Sequence, residues 1–315
     1  MESKNNWKAW IYLAPVIILM AVFTFYPILN TFYISFLKGY NYMNGTFKGF
    51  TFDNYIDVLT PLKNSGPGSN FEAVVQIALP NTMLLTIITV PISIALSLLI
   101  AICLNNIKFL KKIFQTIFFL PYVTNAIAIG MVFAVIFDTD YGVLNKIFSL
   151  GKLPWIYPSP SNPNNPVNYW MGVLAISIYI VWHSLPYKIL IFIGGLQNID
   201  KQYYDAAQID GSNRAKTAWK ITIPLLSPQI LYVMITSFIG AFKEYNSVIG
   251  LFGTNGGAFD ANTGPRNMTT MVYFIYDQIA QNKVQYASSA AIILFIIIMI
   301  FTAIQFKVSK KRVHY

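Results

Sequence analysis

Charge is scarce in this sequence: 11% of its 315 residues are Asp, Glu, Lys or Arg, against about a quarter in a soluble domain. So few cannot furnish a water-facing surface, and a soluble enzyme is excluded. Cysteine is nearly absent. The single Cys103 rules out a disulfide framework and any cysteine-based zinc or iron–sulfur site, and its apolar neighbours give it a packing role. Histidine occurs twice, His183 in an apolar run and His314 in the tail. The clustered His, Cys or Asp set of an intramembrane protease or transferase is therefore missing. No Gly-x-x-x-x-Gly-Lys-Ser/Thr loop occurs, which leaves the chain without nucleotide hydrolysis of its own. There is no convincing internal repeat either, whereas an ion-coupled carrier would show inverted repeats around ionisable residues.

What the sequence has is apolar residues, 55% of the total, with a mean hydropathy of +0.52. They are bunched. Stretches without Asp, Glu, Lys or Arg run from Ile11 to Leu37, Ala73 to Ile107, Ile113 to Phe137, Leu153 to Tyr187, Ile221 to Phe242 and Val284 to Phe306. A helix crosses about 30 Å of hydrocarbon in about 20 residues, so each run is long enough to span a bilayer. Runs such as Ile292 to Phe301 do not alternate as barrel strands must. The predicted class is all-α, a polytopic membrane protein with six transmembrane helices at 11–37, 76–104, 113–137, 169–196, 226–250 and 285–306. The first run is too long for the apolar core of a secretory signal, and no small-residue cleavage site follows it. It is expected to stay as the first span.

The net charge of +10 invites a nucleic-acid reading, which the distribution disfavours. With the amino terminus inside, thirteen Lys and Arg fall on inner segments and seven on outer ones, where seven acids balance them. The positive-inside rule then predicts both termini cytoplasmic, in a multi-pass protein of the plasma or inner membrane. Basic inner segments also offer contact with anionic lipid. The chain reads as an amino-terminal span with its outside loop (1–75), a core transmembrane domain (76–306) and a basic tail (307–315). The outside loops are long and rich in Gly, Pro, Asn and aromatics. Prolines recur within the spans at 15, 27, 80, 91, 121 and 186. Kinked helices around a cavity are one explanation, and the general frequency of proline in membrane helices is another.

The inner connection at 198–228 is too long for a simple turn. Its spacing predicts a helix that Asp200 caps and Gly211 stops, with Asp205 near its start. A second short helix, capped by Ser212 or Asn213, follows and ends at Pro224. Tyr203, Ala206, Ala207 and Asp210 share one side of the first helix. That small-residue face between an aromatic and a carboxylate suits a groove in another protein, or else an amphipathic helix lying on the membrane interface.

The stretch Asp205-Ala-Ala-Gln-Ile-Asp210-Gly211, followed by Ile221-Thr-Ile-Pro-Leu-Leu-Ser-Pro228, resembles the Glu-Ala-Ala…Gly loop of ATP-binding-cassette importer permeases. Asp205 stands where that family usually has Glu. Further segments are similar to the carbohydrate-uptake group: Phe25-Tyr26-Pro27-Ile28, Phe52-Asp53-Asn54-Tyr55, Phe119-Leu120-Pro121-Tyr122-Val123, Asp140-Tyr141-Gly142 with Leu144-Asn145, and the ending Phe306 to Lys311. The resemblance implies the type I importer permease fold. It also implies a second homologous permease subunit, two cytoplasmic ATPase subunits carrying Mg-ATP, an extracytoplasmic solute-binding protein and a sugar substrate. No cofactor, metal or covalent chemistry belongs to this chain, and Tyr203, Tyr204, Asp205, Ala206, Ala207, Asp210 and Gly211 would form the ATPase-coupling element.

For the substrate, Ser237, Gly240, Ala241 and Glu244 follow helical spacing in the fifth run and are expected on one face. A charge in mid-membrane costs about 2.5–3.5 kcal/mol, so Glu244 should face protein or water, or pair with Lys243 or Lys188. By resemblance to the larger maltose permease, Tyr122, Ala126, Ile180, Ser184 and Tyr187 join them, and Asn125 is a plausible hydrogen-bond donor. The small Gly240 and Ala241 imply a roomier pocket, and Glu244 would repel a phosphate or uronate. A neutral oligosaccharide is therefore expected, with glycerol 3-phosphate or another small polyol as the alternative. Trp182 and His183 read as packing or gating residues, and Lys188 as snorkelling or bonding carbonyls.

Overall fold

A computed structural model describes residues 6–62, 68–107, 111–157, 168–253 and 268–309. The turn at Ser65-Gly66-Pro67, the Pro-rich stretch from Pro158 to Pro166, the glycines at 256, 257 and 264 and most of the basic tail lie outside these residues. Among the described residues every regular element is helical, apart from isolated bridges that pair Leu37 with Phe50 and Asn41 with Thr46.

The first span runs through α1 (Asn6–Met20), a π-helical stretch at Ala21–Phe25 and α2 (Tyr26–Ser35). After α3 (Asp53–Leu59), a π-helical stretch at Glu72–Ala78 leads into α4 (Leu79–Asn106). The third span is broken, because α5 (Lys111–Val123) and α6 (Ala126–Ile136) meet at 100°. Next come α7 (Val143–Ile147) and the long α8 (Tyr169–Gln197). The connection that follows holds α9 (Lys201–Ile209), α10 (Arg214–Thr217), a π-helical stretch at Ala218–Thr222 and α11 (Ile223–Leu225). From there α12 (Ser227–Phe242) departs at 69°. The chain closes with α13 (Asn246–Phe252), α14 (Met271–Ala280) and α15 (Val284–Ser309). Among the described residues four continuous helices are long and apolar enough to cross a membrane, and taking each bent pair as one span gives the expected six.

Two of the expected spans differ in detail. The third bends at Thr124-Asn125, where α5 stops at Val123 and Asn125 starts a new helix by accepting hydrogen bonds from the Ile127 and Ala128 amides. The fifth stops at Phe242 instead of continuing to 250, and α13 begins afresh beyond the break.

Proline explains all three π-helical stretches. Each ends two residues before one, at Pro27, Pro80 and Pro224. A proline ring presses on the carbonyl four residues earlier and leaves it without a donor. A widened turn relieves that pressure, and accordingly Tyr26 and Ile223 donate five residues back, to Ala21 and Ala218. Pro91 and Pro186 are carried within α4 and α8.

The chain forms two compact units, Met1–Val74 with Phe274–Phe295 and Val75–Tyr273 with Ile296–Tyr315. In the first, Asn54 closes the end of α2. Its buried amide donates to the Ser35 and Leu37 carbonyls at 2.9 and 3.0 Å, and the Ser35 hydroxyl meets the Tyr55 phenol at 2.7 Å. A hairpin-like loop follows α2, with the Lys38 amide donating to Gly49 and the Asn41 amide to Thr46. Phe36, Phe52 and Tyr55 cluster at its base with ring centroids 5.2–5.3 Å apart. Ser69 and Glu72 then cap the second span reciprocally: the serine accepts from the Glu72 amide, and the carboxylate accepts from the Gly68 amide. No residue in the apolar window of the first span is buried by the chain itself.

In the second unit α4 packs along α8 and α12, and α6 packs on α13. The buried side of α4 is rich in hydroxyls, and Thr82, Thr86 and Thr89 satisfy theirs by donating to carbonyls four residues back. The loop after α6 is held by buried Asn145, which donates to the Thr139 and Leu153 carbonyls and accepts from the Trp155 indole. Only glycine fits at 142, since a Cβ there would lie 2.1 Å from the Asp138 carbonyl oxygen. The Asp140-Tyr141-Gly142 segment with Asn145 thus builds a loop.

Candidate pathway wall and docking helix

Three tyrosines from three helices line one another in the second unit. Tyr122, at the end of α5, stacks on Tyr187 of α8 with ring centroids 6.0 Å apart and planes 18° from parallel. The Tyr187 phenol meets the Tyr232 phenol of α12 at 3.0 Å. Tyr122 and Tyr232 are half-exposed, so the wall offers aromatic faces and hydroxyls together. Carbohydrates present alternating C–H faces and hydroxyl rims, and such a wall meets both.

One turn before Tyr187, Ser184 sits where α8 meets α4. Buried Lys188 donates to its hydroxyl at 3.1 Å and also to the Ser93 hydroxyl. Lys188 therefore ties α8 to α4 through hydroxyls, in place of snorkelling or bonding carbonyls, and among the described residues it has no carboxylate partner. Higher on α8, Tyr179 donates to the Ala126 carbonyl at 2.5 Å, and Tyr179 and Trp182 both pack on Phe133. His183 lies against Tyr179. Packing is the role expected of Trp182 and His183.

Glu244 departs from its expected position. Because α12 ends at Phe242, Glu244 leaves the face shared by Ser237, Gly240 and Ala241 and lies in the break. There its carboxylate accepts from the Ser247 amide at 3.0 Å and hydroxyl at 2.7 Å, at the start of α13, and its carbonyl accepts from Thr270. It is not ion-paired to Lys243 or Lys188 among the described residues. Gly240 borders open space, and the buried Ser237 hydroxyl has no partner among the described residues. The Asn125 carbonyl oxygen is used in capping α6, which leaves its amide NH2 as the available donor.

The connection after α8 is built as its residues predict. Asp200 caps α9 through the Gln202 amide, and Asn213 caps α10 through the Lys216 amide. Gly211 has φ +66°. It donates to the Gln208 carbonyl while Ser212 donates to that of Ala207, the paired bonds of a Schellman ending. Tyr203, Ala206, Ala207 and Asp210 border one cavity, of about 540 Å³. Tyr204 faces the other way and meets the Thr222 hydroxyl at 3.3 Å. Asp205 and Ala206 are exposed.

Residues 93–315 match the family described as binding-protein-dependent transport system inner membrane component. The chain belongs to this family. The permease is 30% identical over 317 residues to the lactose transport system permease protein LacF of Rhizobium radiobacter, covering 97% of this chain and 95% of that one. It is 32% identical over 305 residues to the arabinooligosaccharides transport system permease protein AraP of Bacillus subtilis, covering 95% and 88%. It is 28% identical over 315 residues to the sn-glycerol-3-phosphate transport system permease protein UgpA of Agrobacterium fabrum, covering 99% and 97%. In fold it is similar to a chain of a bacterial ABC transporter involved in the import of the acidic polysaccharide alginate, with a TM-score of 0.76, 18% identity and coverage of 98% and 96%. The permease is thus a multi-pass inner-membrane protein and a transport component.

Sequence reasoning missed Tyr232 and Ser93. Tyr232 did carry a signal: it is a polar-tipped aromatic in an apolar run.

Proposed function

We propose that the permease forms, with a second homologous permease subunit, the pathway of an ATP-driven importer for a neutral oligosaccharide. An extracytoplasmic binding protein delivers the sugar, and two ATPase subunits bind from the cytoplasm, where both termini and α9 lie. The observation that carries the sugar reading is the Tyr122–Tyr187–Tyr232 wall, because aromatic faces and neutral hydroxyls suit a sugar ring and give no charge to a phosphate. The short α9, capped at both ends and exposing Tyr203 and Asp210 on one side, supports the coupling role. Tyr122, Asn125, Ser184, Tyr187, Ser237, Gly240, Ala241 and Glu244 are the proposed substrate residues. Mg-ATP is held by the partner subunits alone.

The test is ATPase activity of the reconstituted complex with its binding protein, across neutral oligosaccharides, monosaccharides and glycerol 3-phosphate. Stimulation by a neutral oligosaccharide is expected. Stimulation by glycerol 3-phosphate alone would replace the sugar reading with the polyol phosphate one, and no stimulation by any solute would defeat the importer assignment.

A further inference from the structure

α9 separates two cavities of different chemistry. The one beside Tyr203 is lined by Lys216 and Lys220 but also by Asp200 and Asp210, so its charges balance. The other, of about 560 Å³, opens between α9–α10 and the ends of α4 and α8, and among the described residues no carboxylate lines it. Lys201 and Arg214 do. Both are exposed, and neither is ion-paired to a described residue.

Two cations with no carboxylate among the described residues of the lining attract an anion, and the cavity's other polar groups sharpen its identity. Asn106 and Gln208 add amide donors to its lining, and an arginine fork matches phosphate oxygens. Where the spanning helices end, Ile102, Leu196 and Ile199 add an apolar part to its wall beside Asn105, Asn106 and Gln197. A free inorganic anion gains nothing from that apolar part. An amphiphile whose phosphate meets the cations and whose glycerol and first methylenes lie along the isoleucines uses both. The size falls in the range of about 300–1,000 Å³ usual for small-ligand sites, and basic pockets at helix ends are where anionic headgroups bind.

We propose that this cavity binds the headgroup of an anionic phospholipid, braced between Lys201 of α9 and Arg214 of α10, and so links membrane composition to the position of α9. A lipid here would hold α9 from behind while its Tyr203 side remains free for a partner.

The experiment is native mass spectrometry of the full chain, extracted in a mild detergent and offered phosphatidylglycerol or phosphatidylcholine. Wild type is expected to retain phosphatidylglycerol at least tenfold better. A Lys201→Gln, Arg214→Gln double variant should lose that preference, as should Gln208→Glu, which adds a carboxylate to the lining. Lys216→Gln with Lys220→Gln, on the other cavity, should keep it. Equal retention by wild type and the Lys201, Arg214 variant would overturn the site. Release of phosphatidylglycerol by millimolar inorganic phosphate would identify a soluble anion as the ligand and overturn the lipid assignment. Because retention is read on this chain alone, it is independent of which solute the importer carries.

Discussion

Gly130 and Gly250 meet backbone to backbone where α6 crosses α13: a Cβ on Gly130 would lie 2.6 Å from the Cα of Gly250, and one on Gly250 would lie 2.8 Å from the Cα of Gly130. Both helices begin where the helix before them is interrupted, one at Asn125 and one after Glu244. Small residues let membrane helices approach this closely. The crossing joins the second piece of the third span to the short helix beyond the fifth, and the two pieces pack as one block. Val248, Leu251 and Phe252 complete it from the α13 side.

Gly130→Ala is therefore expected to destabilise the permease by about 1–3 kcal/mol, the usual cost of overpacking. Gly194→Ala is the matched control, because a Cβ there meets nothing within 4 Å. Thermal unfolding in detergent, followed by tryptophan fluorescence, should show a lower midpoint for the first variant and no loss for the second.

Asn54 makes a second prediction. Its buried amide closes the carboxyl end of α2 through two carbonyls, groups that a helix end leaves without partners. Asn54→Ala strands the Leu37 carbonyl in a buried setting and leaves the Ser35 carbonyl only the 3.3 Å contact from the Ser289 hydroxyl, at about 1–3 kcal/mol. Asn54→Asp should be no better, since a carboxylate cannot donate. Proteolysis of the loop between α2 and α3 would report the loosening in both variants.

The broad fold was legible because apolar run length is a one-dimensional property: six uncharged runs sufficed for six spans. The breaks were not. Hydropathy is blind to whether Asn125 caps a new helix or packs as an amide, and to whether Glu244 rides a helix face or follows its end. Those choices depend on what the Ser247 hydroxyl and the Ala128 amide offer in three dimensions. Around α9 the sequence was read closely, since caps are local: Asp200, Gly211 and Asn213 act on amides and carbonyls within a few residues of themselves. The tyrosine wall joins α5, α8 and α12, and its third member, Tyr232, could not be placed without their packing.

Gly211 supplies the third prediction. Its φ of +66° costs a residue with a Cβ about 1–2 kcal/mol, so Gly211→Ala should weaken the ending of α9 without abolishing it. Gly211→Asn should lie closer to wild type. Gly211→Pro also removes the amide that donates to Gln208 and forbids the conformation. If α9 couples hydrolysis to transport, solute-stimulated ATPase should fall in the order Gly, Asn, Ala, Pro, while binding-protein affinity for the solute stays unchanged.

The last prediction concerns the tyrosine wall. Tyr187→Phe and Tyr232→Phe each remove one side of the 3.0 Å hydroxyl contact but keep the rings, so the stack of Tyr122 on Tyr187 survives in both. If the hydroxyl pair serves only to hold α8 to α12, the two changes should couple in thermal stability by about 0.5–1.5 kcal/mol, the net value of one hydrogen bond, and leave transport kinetics alone. If the wall meets substrate, each variant should also lower the transport rate at subsaturating solute, and Tyr122→Ala, which removes an aromatic face, should lower it further, by about tenfold for 1.4 kcal/mol. A double-mutant cycle read in both stability and transport separates the two roles. Coupling in stability with unchanged transport would remove Tyr187 from the pathway.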